Sequence, residues 1–437
     1  MPKKTLAAFT LGCKVNQVET ASLLEEFSSR GYEVVDFKEE ADIYLVNTCA
    51  VTAKAAYESR QLLRRALKHS PLLVIATGCY AQVGVEEIRE QVEGPLLIVG
   101  QEFKPRIPEI VEGLPLPLEK TQALLSDVRK LKRCEPFPLH RFRGHQRAFL
   151  RVQDGCSLFC TYCIVPYARG PSRSLPLELI AEQAKRYLAA GYQEMVVSGV
   201  HLGLWGRDLD PPKKLLDLLR LLDELEVPRF RLSSLEPREI DLEMLSFLRA
   251  SSGFCPHFHL SLQSASNEVL RKMGRRYRRE DFLRVVEEIL RFFPEAALGV
   301  DVIAGFPAET EKDFEETYRL LERLPLAYFH VFPYSPRPGT RAASWPQLPP
   351  HVVAERARRL RDLSRAKKKG FYARQIGKNF EVLVLRQDEN TGLLEGLSRH
   401  YVTVFFHGEA KLTGRLVRVR VERAVDTTLY GSLDMVG

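Results

Sequence analysis

Between residues 147 and 340 the sequence repeats one pattern six times: a short apolar run of strand type, then an amphipathic helical stretch. The strand cores are AFLRVQ, EMVVSG, RFRLSSL, HFHLSL, LGVDVIAG and AYFHVF. Helical patterns such as LELIAEQAKRYLAAG and REDFLRVVEEILRFF lie between them. Short buried strands alternating with helices predict parallel pairing, and six such units are two short of a closed eight-stranded barrel. The expected form is a partial (β/α)6 barrel, with its chemistry on the loops that follow the strands. Those loops read DGCSLFCTYC, SGVHLG, SSLEP, LQSAS, AGFPAET and PYSPRPGT, rich in small and polar groups.

The flanks differ from this centre. Residues 1–113 alternate strand runs (TLAAFTL, ADIYLVN, LLVIAT, LLIVG) with helical patterns, which predicts a doubly wound parallel sheet. In the first helix Val18, Ala21, Leu24 and Phe27 fall at helical spacing, with Gly31 as its stop. Residues 114–141 are rich in proline and charge and read as a linker. The barrel is expected over 142–372, including a very basic helix near 350–370. From 374 to 437 short strands with glycine turns predict a small antiparallel β-barrel. The overall class is α/β.

The net charge of +8 permits a nucleic-acid partner without requiring one. No apolar run approaches the roughly 20 residues needed to cross a bilayer. The opening MPKKTLAAFTLGC mimics a short signal peptide ending at a cysteine, but its apolar stretch is at the short limit and Cys13 has companions further on. A cytoplasmic protein is expected.

Eight cysteines in so long a chain suggest metal binding or chemistry rather than a disulfide scaffold. Cys156, Cys160 and Cys163 are spaced by four and three residues. A structural zinc site would need a fourth nearby ligand, and His140, His145 and Cys134 lie upstream without matching spacing. Three thiolates can instead hold three irons of a four-iron cluster. Cys13, Cys49 and Cys79, in TLGC, NTC and ATGC, each follow one strand of the N-terminal sheet. In a parallel sheet all strand C-termini lie along one edge, so three thiols distant in sequence can converge there. Any one of them alone reads equally as a small buried hydrophobe. Gly12 and Gly78 suit close approach of backbone to a bulky inorganic group. Cys134 and Cys255 read as incidental.

The C-x3-C-x2-C motif after the first strand of a six-unit barrel resembles that of radical S-adenosylmethionine enzymes. With the three strand-end cysteines and the C-terminal small barrel, the whole chain resembles the methylthiotransferases of that superfamily, whose last domain is a TRAM domain. The resemblance implies an enzyme with two [4Fe-4S] clusters and S-adenosyl-L-methionine as cofactors. Cys156, Cys160 and Cys163 would hold the cluster that cleaves S-adenosylmethionine to a radical. Cys13, Cys49 and Cys79 would hold an auxiliary cluster concerned with the sulfur. Tyr162 would lie against the adenine, Ser198 and Gly199 would receive the methionine amino group, and Glu236 and the DVIAGFP strand would contact ribose and adenine. Ser198, Glu236 and their loops also read as simple loop caps. Ala308 in AGFPAET and Ala265 in LQSAS stand where the family usually has glycine.

Within the family, GCKVN at Cys13, with RRYRRED and VFPYSPRPGTRA, resembles the branch acting on N6-threonylcarbamoyladenosine at position 37 of tRNA. The alternatives are the branches for isopentenyladenosine in tRNA and for a ribosomal protein, or, in another class, a zinc-dependent RNA-binding protein without catalysis. The implied partners are the tRNA anticodon stem-loop, an electron donor such as a flavodoxin or ferredoxin, and a sulfur source, with no membrane. Basic stretches at 271–280, 355–370 and RLVRVRV would meet phosphates. Tyr401, Phe405 and Phe406 could stack on bases, although alternation places Val402, Val404 and Phe406 in a core.

Overall fold

The structure, a computed structural model, describes residues 3–434; residues 1–2 and 435–437, the outer ends of the expected first and last domains, lie outside the described residues. The N-terminal part is a six-stranded sheet of β1 (Thr5–Thr10), β2 (Glu33–Val35), β3 (Ile43–Thr48), β4 (Leu73–Gly78), β5 (Leu97–Val99) and β6 (Gln122–Leu124). Its order is β2-β1-β3-β4-β5-β6, and every pair is parallel.

Alternation along β3 explains why both faces are covered. Ile43 and Leu45 pack with Val18, Leu23 and Phe27 of helix α1 (Lys14–Ser29). Tyr44 and Val46 pack with Ala56 and Leu63 of helix α2 (Ala53–Leu67). A sheet dry on both sides needs such near-continuous apolar strands.

Strand β6 falls inside the segment read as a linker, and Leu118, Val128, Phe137 and Leu139 of that segment are buried. Its prolines and charges mask an alternation too short to signal a strand. The segment packs on its neighbours: Ser22 Oγ donates to Pro138 O (2.7 Å), and Leu139 N donates to Gln183 Oε1 (3.1 Å). One apolar core runs from the sheet through α1 into the barrel.

The barrel strands are β7 (Ala148–Arg151), β10 (Glu194–Ser198), β11 (Arg229–Leu232), β12 (His257–Gln263), β13 (Ala297–Ala304) and β14 (Tyr328–Pro333). They run parallel and in chain order as two three-stranded pieces. The pieces are joined where Leu235 N donates to His259 O and Ser261 N donates to Leu235 O (both 2.9 Å). This is the expected open six-unit barrel. Strands β8 (Gln153–Asp154) and β9 (Arg173–Ser174) form a short antiparallel clamp, so the cysteine-bearing loop between them is closed at its base.

The C-terminal strands β15 (Asn379–Gln387), β16 (Leu394–Ser398), β17 (Thr403–Phe406), β18 (Leu416–Val425) and β19 (Thr428–Leu433) close into a barrel in the order β15-β16-β17-β19-β18. Its pairs are antiparallel except β17 with β19, the parallel pair between non-consecutive strands. Val402, Val404 and Phe406 are in its core, as alternation predicts. It is tied to the (β/α)6 barrel by two buried arginines. Arg229 donates to Leu397 O (3.1 Å), and Arg231 donates to Ser398 O (2.5 Å) and Arg399 O (2.7 Å). Both pair with buried Glu194, at 2.7 and 2.8 Å. Among the described residues no helix is long and apolar enough to cross a membrane.

Candidate active site

The three N-terminal cysteines converge because the sheet makes them converge. Thr48 and Gly78 are register partners, so Cys49 and Cys79 leave adjacent strand ends, which in a sheet lie roughly 4.8 Å apart. Thr10 of β1 pairs with Asn47, which puts the Gly12–Cys13 turn beside them. A Cβ on Gly12 (φ +96°) would lie 3.0 Å from Cys49 Sγ. A Cβ on Gly78 (φ +96°) would lie 2.4 Å from Asn47 Oδ1 and Thr48 O. Glycine is required at both turns, by conformation and by space.

Cys49 and Cys79 are buried, and Cys13 is exposed at the start of α1. Burial first, then the other two thiols, pushes Cys49 up to about 12. Burial likewise raises Cys79, against the pull of Arg169. Three converging thiols fit a metal site whose cations favour the thiolates. The donor set matches three irons of a four-iron cluster.

The second set sits on the β8–β9 loop. Cys156, Cys160 and Cys163 line a cavity of about 140 Å3 together with Tyr162, His201, Glu236 and Arg275. Arg275 donates to Cys160 Sγ (3.3 Å) and pairs with Glu236 (2.7 Å). His201 Nδ1 lies 3.5 Å from Cys156 Sγ, and its Nε2 contacts Glu239. Burial alone would lower the His201 pKa, but hydrogen bonds to Cys156 and Glu239 outweigh it and push it up to about 10. Burial pushes Cys163 up to about 12 and raises Cys160. Cationic donors beside two of the sulfurs suit thiolate ligands, as the hydrogen bonds around the sulfurs of an iron–sulfur cluster do.

One residue joins the two sets. Arg169 ends the helix Val165–Arg169, which directly follows the second set. Its Nε donates to Cys79 Sγ (3.2 Å), and its other nitrogens reach Glu19 (2.9 Å), Asp154 (2.7 Å) and Asn16 (2.5 Å). Lys104 pairs with Glu19 (2.7 Å), and Arg151 and Arg173 pair with Asp154 (3.1 and 3.0 Å). All of these are buried. Burial alone would raise Glu19, but Arg169, Lys104 and Arg151 outweigh it and hold its carboxyl at about 2.

Of the residues singled out from the sequence, Tyr162 and Glu236 line the cavity of the second set. Tyr162 packs edge-on to Phe306, 6.4 Å between centroids, in an apolar cluster with Ile303 of β13. Ser198 is buried, its hydroxyl bonded to Val196 O (3.1 Å), and Gly199 packs against Gln153. It is Val200 and His201 of the same loop that reach the cavity. Ala265 is buried with its N–H bonded to Thr317 Oγ1 (3.0 Å), so the loop accepts alanine there. Cys134 and Cys255 are buried as well, Cys134 beside the Arg151 and Asp154 charges.

Sequence reading missed Arg169, His201 and Arg275. Arg275 lies in a run assigned to phosphates, yet its side chain is 6% exposed and turned onto a thiol. The basic helix Pro350–Ala373 behaves similarly in part. Arg356 is buried against Glu309 (2.8 Å) and Arg359 pairs with Glu315 (2.5 Å). Arg361, Arg365 and Lys369 remain exposed. A further polar cluster lines adjacent barrel strands: His259 (2.8 Å) and His330 (3.3 Å) flank Asp301.

The profile of the radical SAM superfamily matches residues 150–321, that of the uncharacterized protein family UPF0004 residues 5–100, and that of the TRAM domain residues 373–433.

The chain is 40% identical over 415 residues to the threonylcarbamoyladenosine tRNA methylthiotransferase MtaB of Aquifex aeolicus, covering 94% of this chain and 98% of that one. It is 36% identical to the Bacillus subtilis protein of the same name, over 96% and 94% of the two chains. It is 34% identical to the tRNA-2-methylthio-N(6)-dimethylallyladenosine synthase of Moorella thermoacetica, over 99% and 98%. Among solved structures, the radical S-adenosylmethionine methyltransferase TsrM of Kitasatospora setae aligns with a TM-score of 0.53 and 17% identity over 77% of each chain, a likeness of fold. The chain belongs to the radical S-adenosylmethionine methylthiotransferase family. It is an enzyme that transfers a sulfur-containing group, with S-adenosylmethionine and two [4Fe-4S] clusters as its cofactors.

Proposed function

We propose that this enzyme converts N6-threonylcarbamoyladenosine at position 37 of tRNA to its 2-methylthio derivative. On this reading Cys156, Cys160 and Cys163 hold the cluster that works with S-adenosylmethionine, and Cys13, Cys49 and Cys79 hold the auxiliary one. The observation that carries it is the pair of three-thiol sets, one at strand ends of the N-terminal sheet and one on the β8–β9 loop, tied through Arg169. When bound, the cofactors supply an organic radical and a methylated sulfur, a chemistry able to reach an aromatic C–H without useful acidity.

The chain's own residues do the holding and orienting. Arg275 and His201 stabilise thiolates of the second set, and Arg169 one of the first. Tyr162 and Glu236 form the wall and rim where a nucleoside-bearing cofactor would seat. For the RNA, the outer face of the C-terminal barrel offers Phe405 and Tyr430 (6.1 Å) with Arg423 over the Tyr430 ring at 4.1 Å. Exposed Arg418 and Arg420 lie near by on β18. Such a surface combines a stacking platform with phosphate-binding charge. Tyr401 is engaged elsewhere, stacked on His257 at 4.4 Å.

The choice among nucleosides rests on GCKVN and on the relatives that carry the threonylcarbamoyladenosine name. The relative from Moorella thermoacetica supports dimethylallyladenosine as the second reading. Mass spectrometry of tRNA nucleosides from a strain lacking the gene decides. Loss of methylthio-threonylcarbamoyladenosine alone is the expected result. An unchanged pool, or loss of the dimethylallyl product instead, contradicts the proposal.

A further inference from the structure

The segment after β14, PYSPRPGTRA, runs from one cysteine set to the other. At one end Ser335 Oγ accepts a hydrogen bond from Ala53 N (2.9 Å), four residues beyond Cys49. At the other, Ala342 N donates to Thr161 O (2.8 Å), between Cys160 and Cys163. Between these anchors Thr340 turns back onto Arg337, its N–H and hydroxyl both bonded to Arg337 O (3.1 and 2.8 Å).

The Arg337 side chain inside this strap has no ion-pair partner among the described residues. The residue is 6% exposed, and its Nε is buried with no hydrogen-bond partner among the described residues. Its electrostatic neighbours are Glu87, Tyr80, Cys49 and Arg60. Glu87 and the Tyr80 hydroxyl are already taken by Arg60, at 2.7 and 2.6 Å. Two arginines therefore face one carboxylate, and Arg337 is the cation left over. Other buried arginines of the chain, Arg169, Arg229, Arg231 and Arg356, each have a carboxylate partner. A guanidinium largely withdrawn from water without an anion of its own is costly to the fold. Its planar fork is suited to a carboxylate or phosphate.

We propose that Arg337 is an anion-recognition residue for the substrate, placed between the two cysteine sets to fix the target nucleoside there. This rests on the proposed function. A threonylcarbamoyl group carries a free carboxylate, and the RNA beside it carries phosphates, so either could supply the anion.

The test uses the full-length, anaerobically reconstituted enzyme and two synthetic anticodon stem-loop RNAs, one with threonylcarbamoyladenosine and one with adenosine at the target. For Arg337→Met, iron content is expected to stay at the wild-type value, and the RNA-free enzyme to melt at the same or a higher temperature, because an unpaired buried charge has gone. Affinity for the modified RNA is expected to fall about 10- to 100-fold, the range for a charge-assisted contact. If the anion is the carboxylate, affinity for the unmodified RNA stays constant. If it is a phosphate, both RNAs lose affinity alike and the salt slope drops by about one. Arg337→Lys, which keeps the charge but loses the fork, is expected to fall between wild type and Arg337→Met.

Unchanged binding of both RNAs overturns the inference. So does loss of iron or a lower melting temperature in Arg337→Met, since Arg337 would then be a counter-charge to the thiols. If wild-type enzyme does not methylthiolate the modified RNA, the proposed function fails and this inference falls with it. If wild type does so and Arg337→Met binds both RNAs as wild type does, only the inference fails.

Discussion

Glu19 and Asp154 are carboxylates shut away from water, and each depends on Arg169. Removing one partner of a buried ion pair leaves the others uncompensated and typically costs about 3–5 kcal/mol. Arg169→Met is therefore expected to lower unfolding stability by about that amount, measured by chemical denaturation. A carboxyl whose pKa is lower folded than unfolded binds more protons when unfolded, so it adds stability at higher pH. Glu19 is held at about 2 against an ordinary value near 4.5, so its contribution is complete above about 4.5 and is lost as pH falls towards 2. Urea titrations across that window are expected to show stability falling with pH, and Glu19→Gln to flatten that fall. None of this was legible in the sequence. Arg169 and Arg275 look like the solvated arginines around them, because their contacts with Glu19 and Cys160, 150 and 115 residues away, leave no local periodicity.

The elements were easier to read, for a physical reason. Strand ends in a parallel sheet share one edge, so GC, TC and GC after three apolar runs could be placed together from sequence. The six-unit barrel followed from repetition of the same kind. Where the apolar signal was weak, sequence was silent: β2 (EVV) and β6 (QAL) are short and only partly apolar, unlike the equally short β5 within LLIVG, and the parallel β17–β19 contact joins strands that are not consecutive. The loop after β10 reaches the cavity through Val200 and His201 rather than Ser198 and Gly199, because Gln153 fills the space beside Gly199. The turns themselves are tightly constrained. Gly78→Ala would place a Cβ 2.4 Å from Asn47 Oδ1 and Thr48 O at a φ of +96°. Strain of this kind costs about 1–3 kcal/mol before the clash is counted. The variant is expected to melt at a lower temperature and to take up less iron, while Gly144→Ala, with no atom within 4 Å of its Cβ, is expected to keep wild-type iron.

At the scale of the whole molecule, the N-terminal sheet is fused to the barrel through α1 and a buried charge network, and the C-terminal barrel is held by Arg229, Arg231 and Arg399 and by apolar packing on Ala297 and Ala327. Arg231→Met removes two of the three carbonyl contacts made by Arg229 and Arg231 and unbalances Glu194. Faster limited proteolysis near residues 374–378, between the basic helix and β15, is the expected outcome. The central claim is that the strand-end thiols form a metal site separate from the loop thiols. The most direct test is iron per chain after anaerobic reconstitution of wild type and Cys13→Ala. Two four-iron clusters predict about eight irons in wild type and about four in the variant. A Cys13→Ala protein that holds as much iron as wild type would contradict the account.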